Sequence, residues 1–319
     1  MSRTNILLEV GTNELEVVEF TLNEQLQGQS SAYQGHYAVN VAKVLEIIRM
    51  PRITELPRVS NPSVLGAFNL RSHIIPLVDL GVWLGKAQAE PEEEGKVIVT
   101  EFNSVVTAFR VSGVNRIHRI SWEEVESPGP YLASFSSDCI TGVINLEGRI
   151  VFVLDMEKIV ADLDPGMALR MDVDLEEHRG KALKALVADD SSLIRNMLRD
   201  LLEKAGFSVE TTFHGQELWE RLQALRRKAE TEGNALTDHV QIVIADIEMP
   251  TMDGLTLCKK IKEDPHLGQL PVILFSSLIS DKLRHRGEAA GADDQISKPE
   301  ITQLTRRARA LIEARRTTM

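Results

Sequence analysis

From residue 182 onward the chain alternates short apolar runs with longer amphipathic stretches, five times over. The runs are 184–190 (KALVADD), 208–213 (SVETTF), 240–248 (VQIVIADIE), 271–277 (PVILFSS) and 293–298 (DDQISK). The stretches are 191–206, 215–230, 254–265, 281–291 and 302–316. Short runs rich in Val and Ile read as strands, and longer stretches with apolar residues three and four apart read as helices. Few folds accept this order. A helix after each strand carries the chain back to the same edge, so the strands run parallel, and helices cover both faces of the sheet. The expectation is an α/β domain over residues 182–315, a (βα)5 doubly wound parallel sheet. Its first helix would start on Ser191 or Ser192 as N-cap and stop at Gly206.

The half before it obeys a different rule. Up to about residue 160 there are short apolar runs broken by turn residues, among them 16–22 (EVVEFTL), 36–48 (HYAVNVAKVLEII), 73–80 (HIIPLVDL), 96–102 (KVIVTEF), 105–111 (VVTAFRV) and 149–156 (RIVFVLDM). Closely spaced strands of this kind build a sandwich or a barrel. Residues 88–95 (QAEPEEEG) read as a charged loop. There is also an internal echo. Residues 66–80 (GAFNLRSHIIPLVDL) can be laid on 142–156 (GVINLEGRIVFVLDM), with Gly, Asn-Leu, Ile and Asp in register. Each copy reads as strand, tight turn, strand, with Arg71-Ser72 and Glu147-Gly148 at the tips. Such self-similarity points to two related β subdomains in an all-β domain over residues 12–162. His36, His73 and His118 have no ligand-like neighbours and read as solvent-facing or satisfied side chains. No nucleophile–base pair stands out in this half.

Residues 163–181 are polar, with one Pro-Gly, and read as a linker. Composition narrows the function. With 47 acidic against 36 basic residues the net charge is −11. Such a chain repels phosphate backbones, and 5% aromatic residues leave little for base stacking, so nucleic acid is not an expected partner. The two cysteines, Cys139 and Cys258, fall in different halves and form no disulfide framework or zinc spacing, which fits a reducing compartment. Glu9, Glu14 and Glu16 argue against a signal peptide. No apolar run approaches the ~20 residues that a membrane helix needs. The expected location is cytoplasmic, without membrane insertion.

The chemistry lies at the strand ends. The first strand of the C-terminal half ends in Asp189-Asp190, the third in Asp246, the fourth in Ser276-Ser277 and the fifth in Lys298-Pro299. In a parallel sheet these carboxyl ends share one edge, where ligands bind. Three clustered carboxylates cannot all stay ionised without a cation. Oxygen-only ligands with room for water suit Mg²⁺. Asp246, on the central strand, would be both ligand and nucleophile, since a carboxylate attacking phosphorus gives an acyl phosphate. The Lys298 ammonium and the Ser276 hydroxyl would face the phosphoryl oxygens.

Residues 182–315 resemble the receiver domain of two-component signalling, on Asp189-Asp190, ADIEMPTMDG, ILFSS and SKP. The resemblance implies that Asp246 accepts a phosphoryl group from a histidine kinase. It implies that Asp190 is the more direct Mg²⁺ ligand and that the backbone carbonyl of Glu248 is the third. Ser276 stands where the family has Ser or Thr. Gln295 departs from the family, which often has an aromatic switch residue there, and Ser277 occupies a position usually kept small. Residues 12–162 resemble the CheW-like coupling domain, a pair of small β-barrels, on GAFNLRSHIIPLVDL and TGVINLEGRIVFVLDMEKIV. That resemblance implicates Arg71 in coupling to receptor and kinase.

A coupling domain followed by a receiver resembles the CheV family of chemotaxis proteins. It implies an adaptor at membrane chemoreceptor arrays, between the chemoreceptors and the histidine kinase CheA, adjusted by phosphorylation or serving as a phosphate sink. Such a protein accepts a phosphoryl group but is no turnover enzyme. Two other classes fit less well. Mg²⁺-dependent aspartyl-phosphate phosphatases also use a strand-end Asp with Lys, but they have Asp-x-Asp at the nucleophile, where this chain has Asp246 followed by Glu248. Their nucleophile also precedes the acid pair. A transcriptional regulator would carry a helix-turn-helix, and no such pattern follows the receiver.

Overall fold

A computed structural model describes residues 14–25, 32–59, 61–86, 95–102, 105–128, 139–163, 182–276 and 281–318. Residues 88–94 of the charged loop, 164–181 of the linker, and Ser277 lie outside the described residues. The chain divides into two compact units.

The N-terminal unit comprises β1 (Glu14–Gln25), β2 (Ala32–Asn40), β3 (Val44–Arg49), β4 (Val64–Leu70), β5 (His73–Asp79), α1 (Leu80–Trp83), β6 (Lys96–Phe102), β7 (Val105–Val111), β8 (Gly113–Ser121), β9 (Ile140–Leu146), β10 (Arg149–Leu154) and α2 (Met156–Leu163). The run 36–48 is therefore two strands, not one. Asn40 splits it, its side-chain oxygen accepting from the amide of Ala42 at 2.9 Å to cap a short 3-10 turn.

The strands form two five-stranded sheets, ordered β3-β6-β7-β5-β4 and β8-β1-β2-β10-β9. The echo in the sequence is an echo in topology. Hairpin β4–β5 joins its sheet by a parallel pairing of β5 with β7, and hairpin β9–β10 joins the other by a parallel pairing of β10 with β2. The local chemistry repeats too. The Asn69 side chain accepts from the Ser72 amide at 3.0 Å, and Asn145 does the same for Gly148 at 3.1 Å. Both tips hold two residues at positive φ, Arg71 (49°) with Ser72 (73°) and Glu147 (54°) with Gly148 (80°). That is the turn whose twist matches a hairpin. Past each hairpin an Asp caps a helix: Asp79 accepts from the amide of Val82 and Asp155 from that of Lys158, both at 3.0 Å. Phe20, Phe109, Leu80, Met156 and Ile159 share one buried core.

The histidines are satisfied, and around an unexpected residue. Glu19, on β1, is buried. His36 lies 3.0 Å and His118 2.7 Å from its two oxygens, and Asn115 donates to it at 3.0 Å. His73 is exposed, its ring nitrogen 3.2 Å from the carbonyl of Arg71.

The C-terminal unit runs β11 (Leu183–Ala188), α3 (Ser192–Lys204), β12 (Phe207–Thr212), α4 (Gly215–Glu232), β13 (Ile242–Asp246), α5 (Gly254–Glu263), β14 (Val272–Ser276), α6 (Asp281–Ala289), β15 (Asp294–Ser297) and α7 (Leu304–Thr318). All pairings are parallel, in the order β12-β11-β13-β14-β15. Every residue of β13 and β14 is buried, because helices cover both faces. Alternate residues feed opposite cores. Val243 and Ala245 pack with Leu218 and Leu257 on one face; Ile242 and Ile244 pack with Leu198 and Ala308 on the other. Each Val, Leu or Ile among these contributes about 1.5–3 kcal/mol on burial. Ser191 is the N-cap of α3, and Gly206 follows its C-cap at a φ of 82°.

Candidate functional site

The apolar residues of β11 and β13 fix where Asp189 and Asp246 stand, since the registered strands must end together. One carboxylate oxygen from each of Asp189, Asp190 and Asp246 lies within 4.8 Å of the others. Among the described residues no other trio of acidic, His or Cys side chains comes that close. Asp189 and Asp246 are buried, whereas Asp190 is half-exposed.

A buried carboxylate at the end of a core strand is costly without a counter-charge. Lys298 supplies one. Following β15, it is 1% exposed, with Nζ 3.3 Å from Oδ2 of Asp189 and 3.6 Å from Oδ2 of Asp246. Asp189 is held further by the amide of Ser191, which donates to its Oδ1 at 2.9 Å. One ammonium against three carboxylates leaves an excess of negative charge. The donors are hard oxygens, one of them open to water. That set fits a divalent cation such as Mg²⁺.

Ser276 is buried at the end of β14, the strand paired with β13. Glu248 lies in the bend that follows β13. The Asp253-Gly254 pair behind it has a structural reason. A Cβ on Gly254 would lie 2.0 Å from the carbonyl oxygen of Asp246, so only glycine lets α5 start this close to the strand end. Asp253 caps that helix, accepting from the Thr256 amide at 2.8 Å and from its hydroxyl at 2.7 Å. Burial pushes the Asp253 carboxyl up, and the bonds from Thr256 only partly counter it.

Asp189, Asp190, Asp246 and Lys298 thus meet at one edge of the sheet, and Ser276 ends the neighbouring strand. Arg71 belongs to the N-terminal unit, at its exposed hairpin tip, with Nη2 3.3 Å from Glu46. Gln295, on β15, donates through Nε2 to the carbonyl of Arg284 at 2.7 Å and so ties β15 to α6. A Cβ on Gly287 would fall 2.4 Å from its amide. Arg195 has no place in the sequence reading, yet it donates to the Asp189 carbonyl at 2.6 Å. Its one signal is a position on α3 between Ile194 and Leu198, next to the buried stripe.

A profile described as the CheW-like domain matches residues 16–164, and one described as the response regulator receiver domain matches residues 185–309. Chemotaxis protein CheV3 of Helicobacter pylori is 36% identical over 297 residues, which are 92% of this chain and 93% of that protein. Chemotaxis protein CheV1 of the same organism is 26% identical over 322 residues, 94% of each. Among solved structures, the scaffolding protein TtCheW from Thermoanaerobacter tengcongensis is 20% identical and matches 44% of this chain and 88% of its own, with a TM-score of 0.39. A CheW-like domain followed by a receiver, aligned with these relatives over nearly its whole length, places the chain in the CheV family of chemotaxis coupling proteins.

Proposed function

We propose that Asp246 is the phosphoacceptor of this coupling protein and that it takes its phosphoryl group from a phosphohistidine of the kinase CheA. A carboxylate oxygen of Asp246 attacks phosphorus, the phosphorus–nitrogen bond breaks, and the imidazole leaves with the electron pair. Asp189, Asp190, Asp246 and the Glu248 carbonyl are the groups that would hold Mg²⁺. When bound, the ion supplies positive charge to the phosphoryl oxygens. Lys298 supplies a second positive charge, already in place beside Asp246. Ser276 offers its hydroxyl from the adjacent strand end. Glu248, two residues past the acceptor, opposes attacking water by charge and bulk and so lengthens the life of the acyl phosphate. On this reading the chain accepts and holds a phosphoryl group and is not a turnover enzyme.

The N-terminal domain, residues 12–162, docks between chemoreceptors and CheA in a cytoplasmic array, with Arg71 at the contact. Residues 163–181 link it to the receiver, 182–315. Phosphorylation of Asp246 adjusts the coupling or drains phosphate from the kinase. No helix among the described residues is long and apolar enough to cross a membrane.

The observation that carries this reading is the convergence of a buried ammonium and three carboxylates from distant positions at one sheet edge. Its test is kinase control in reconstituted receptor–kinase arrays. Asp246→Ala is expected to remove the phosphorylation-dependent part of that control. Unchanged control in Asp246→Ala would remove the regulatory role.

A further inference from the structure

Arg195 and Phe213 are each unusual alone. Arg195 is 7% exposed, a buried guanidinium in the first turn of α3. Phe213, just past the end of β12, is 55% exposed. A charge indoors and an aromatic ring outdoors both cost free energy. The two are stacked, with the guanidinium carbon 4.1 Å from the ring centre. The ring covers one face of the guanidinium, and the cation gives the ring a fixed place.

The other end of this arrangement lies in the acidic site, where Nη1 of Arg195 donates to the Asp189 carbonyl at 2.6 Å. The peptide unit is planar, so a fixed carbonyl oxygen on Asp189 fixes the amide and Cα of Asp190. Asp189 is itself anchored, through its amide to the Thr212 carbonyl, through Oδ1 to the Ser191 amide, and through Oδ2 to Lys298. Asp190 is the half-exposed member of the trio. Its direction depends on that peptide plane.

We propose that Arg195 is a positioning residue for the divalent-cation site: it holds the Asp189–Asp190 peptide so that the Asp190 carboxylate points into the site, and Phe213 holds Arg195. This rests on the reading of Asp190 as a cation ligand. The side chain acts through another residue and touches no reacting atom. Partners that orient metal ligands typically matter ten-fold or more in affinity.

The test is calorimetric titration of the full chain with Mg²⁺ alone, with thermal midpoints in chelator as the check on folding. Arg195→Ala is expected to weaken Mg²⁺ binding about ten-fold. Phe213→Ala, which leaves the bond from Arg195 to Asp189 in place, is expected to weaken it by about three-fold, less than Arg195→Ala. In an Asp190→Asn background Arg195→Ala should add nothing, because no carboxylate is left to aim. Wild-type affinity in folded Arg195→Ala, or an equal loss in both backgrounds, overturns the proposal. Should Arg195→Ala fail to fold, wild-type affinity in Phe213→Ala overturns it. A wild-type chain without Mg²⁺ affinity overturns the cation site and this proposal together. A wild-type chain that binds, beside an unaffected Arg195→Ala, overturns this proposal alone.

Discussion

The ammonium of Lys298 and the carboxylate of Asp246 face each other across 3.6 Å, both of them buried. The same ammonium lies 3.3 Å from Asp189, so one lysine from the end of β15 balances acids at the ends of β11 and β13. This is why a core strand can finish on a charge.

Removing that lysine leaves buried carboxylates without their partner, a loss that typically costs about 3 kcal/mol or more. Lys298→Met is therefore expected to lower unfolding stability in chelator by about that amount, as read by urea denaturation. Saturating Mg²⁺ should recover part of the loss, since a bound cation supplies the missing charge and stabilises the folded state by mass action. A variant as stable as the parent in chelator would show that Lys298 does not balance the acids.

Gly254→Ala tests the close approach of α5 to the strand end. The new methyl group would meet the Asp246 carbonyl oxygen at 2.0 Å, backbone against Cβ, so the loop or the helix must move. The expected cost is about 3 kcal/mol by denaturation, at the upper end of ordinary overpacking. Phosphorylation of the surviving folded protein should be slowed as Asp246 shifts. Parental stability and rate would contradict the geometry.

Acid should act on the N-terminal domain through Glu19. Burial alone would raise its carboxyl, but the bonds from His118, Asn115 and His36, with the charge of Arg149, outweigh burial and hold it below the usual range. A depressed folded-state value means that its contribution is fully present above the unfolded-state value, about 4.3, and is lost as pH falls through the folded-state value. Stability measured from pH 6 to pH 3 should fall less steeply for Glu19→Gln than for the parent. Equal slopes would contradict this.

The hairpin tip separates strain from function. Ser72 holds a positive φ where its counterpart in the second copy is Gly148. Ser72→Gly should stabilise the chain by about 1 kcal/mol, the usual penalty of a left-handed non-glycine residue. Arg71→Ala should change stability by less than about 0.5 kcal/mol, because its ion pair with Glu46 is solvent-exposed. It should nevertheless weaken binding to kinase or receptor, measured by co-sedimentation with arrays. Parental co-sedimentation would return Arg71 to an ordinary tip residue.

Parts of this protein are legible in its residues because periodicity fixes them. Five strand–helix units leave one edge for Asp189, Asp190, Asp246, Ser276 and Lys298, whatever the loop details. The echo between 66–80 and 142–156 is legible because a tight turn and a helix cap need particular residues, Asn69 and Asn145, Asp79 and Asp155. Arg195, Glu19 and Gly254 are different. A buried arginine beside a helix stripe reads like any surface arginine, and a buried glutamate in EVVEFTL reads like the polar face of a strand. Their roles arise from atoms that meet only after folding: the Asp189 carbonyl, the rings of His36 and His118, the Asp246 carbonyl.

The most direct test of the central claim is intact mass measurement after incubation with phosphorylated CheA and Mg²⁺. The wild-type chain is expected to gain the mass of one phosphoryl group and Asp246→Ala to gain none. An unmodified wild-type chain, or an Asp246→Ala chain carrying the same added mass, would contradict it.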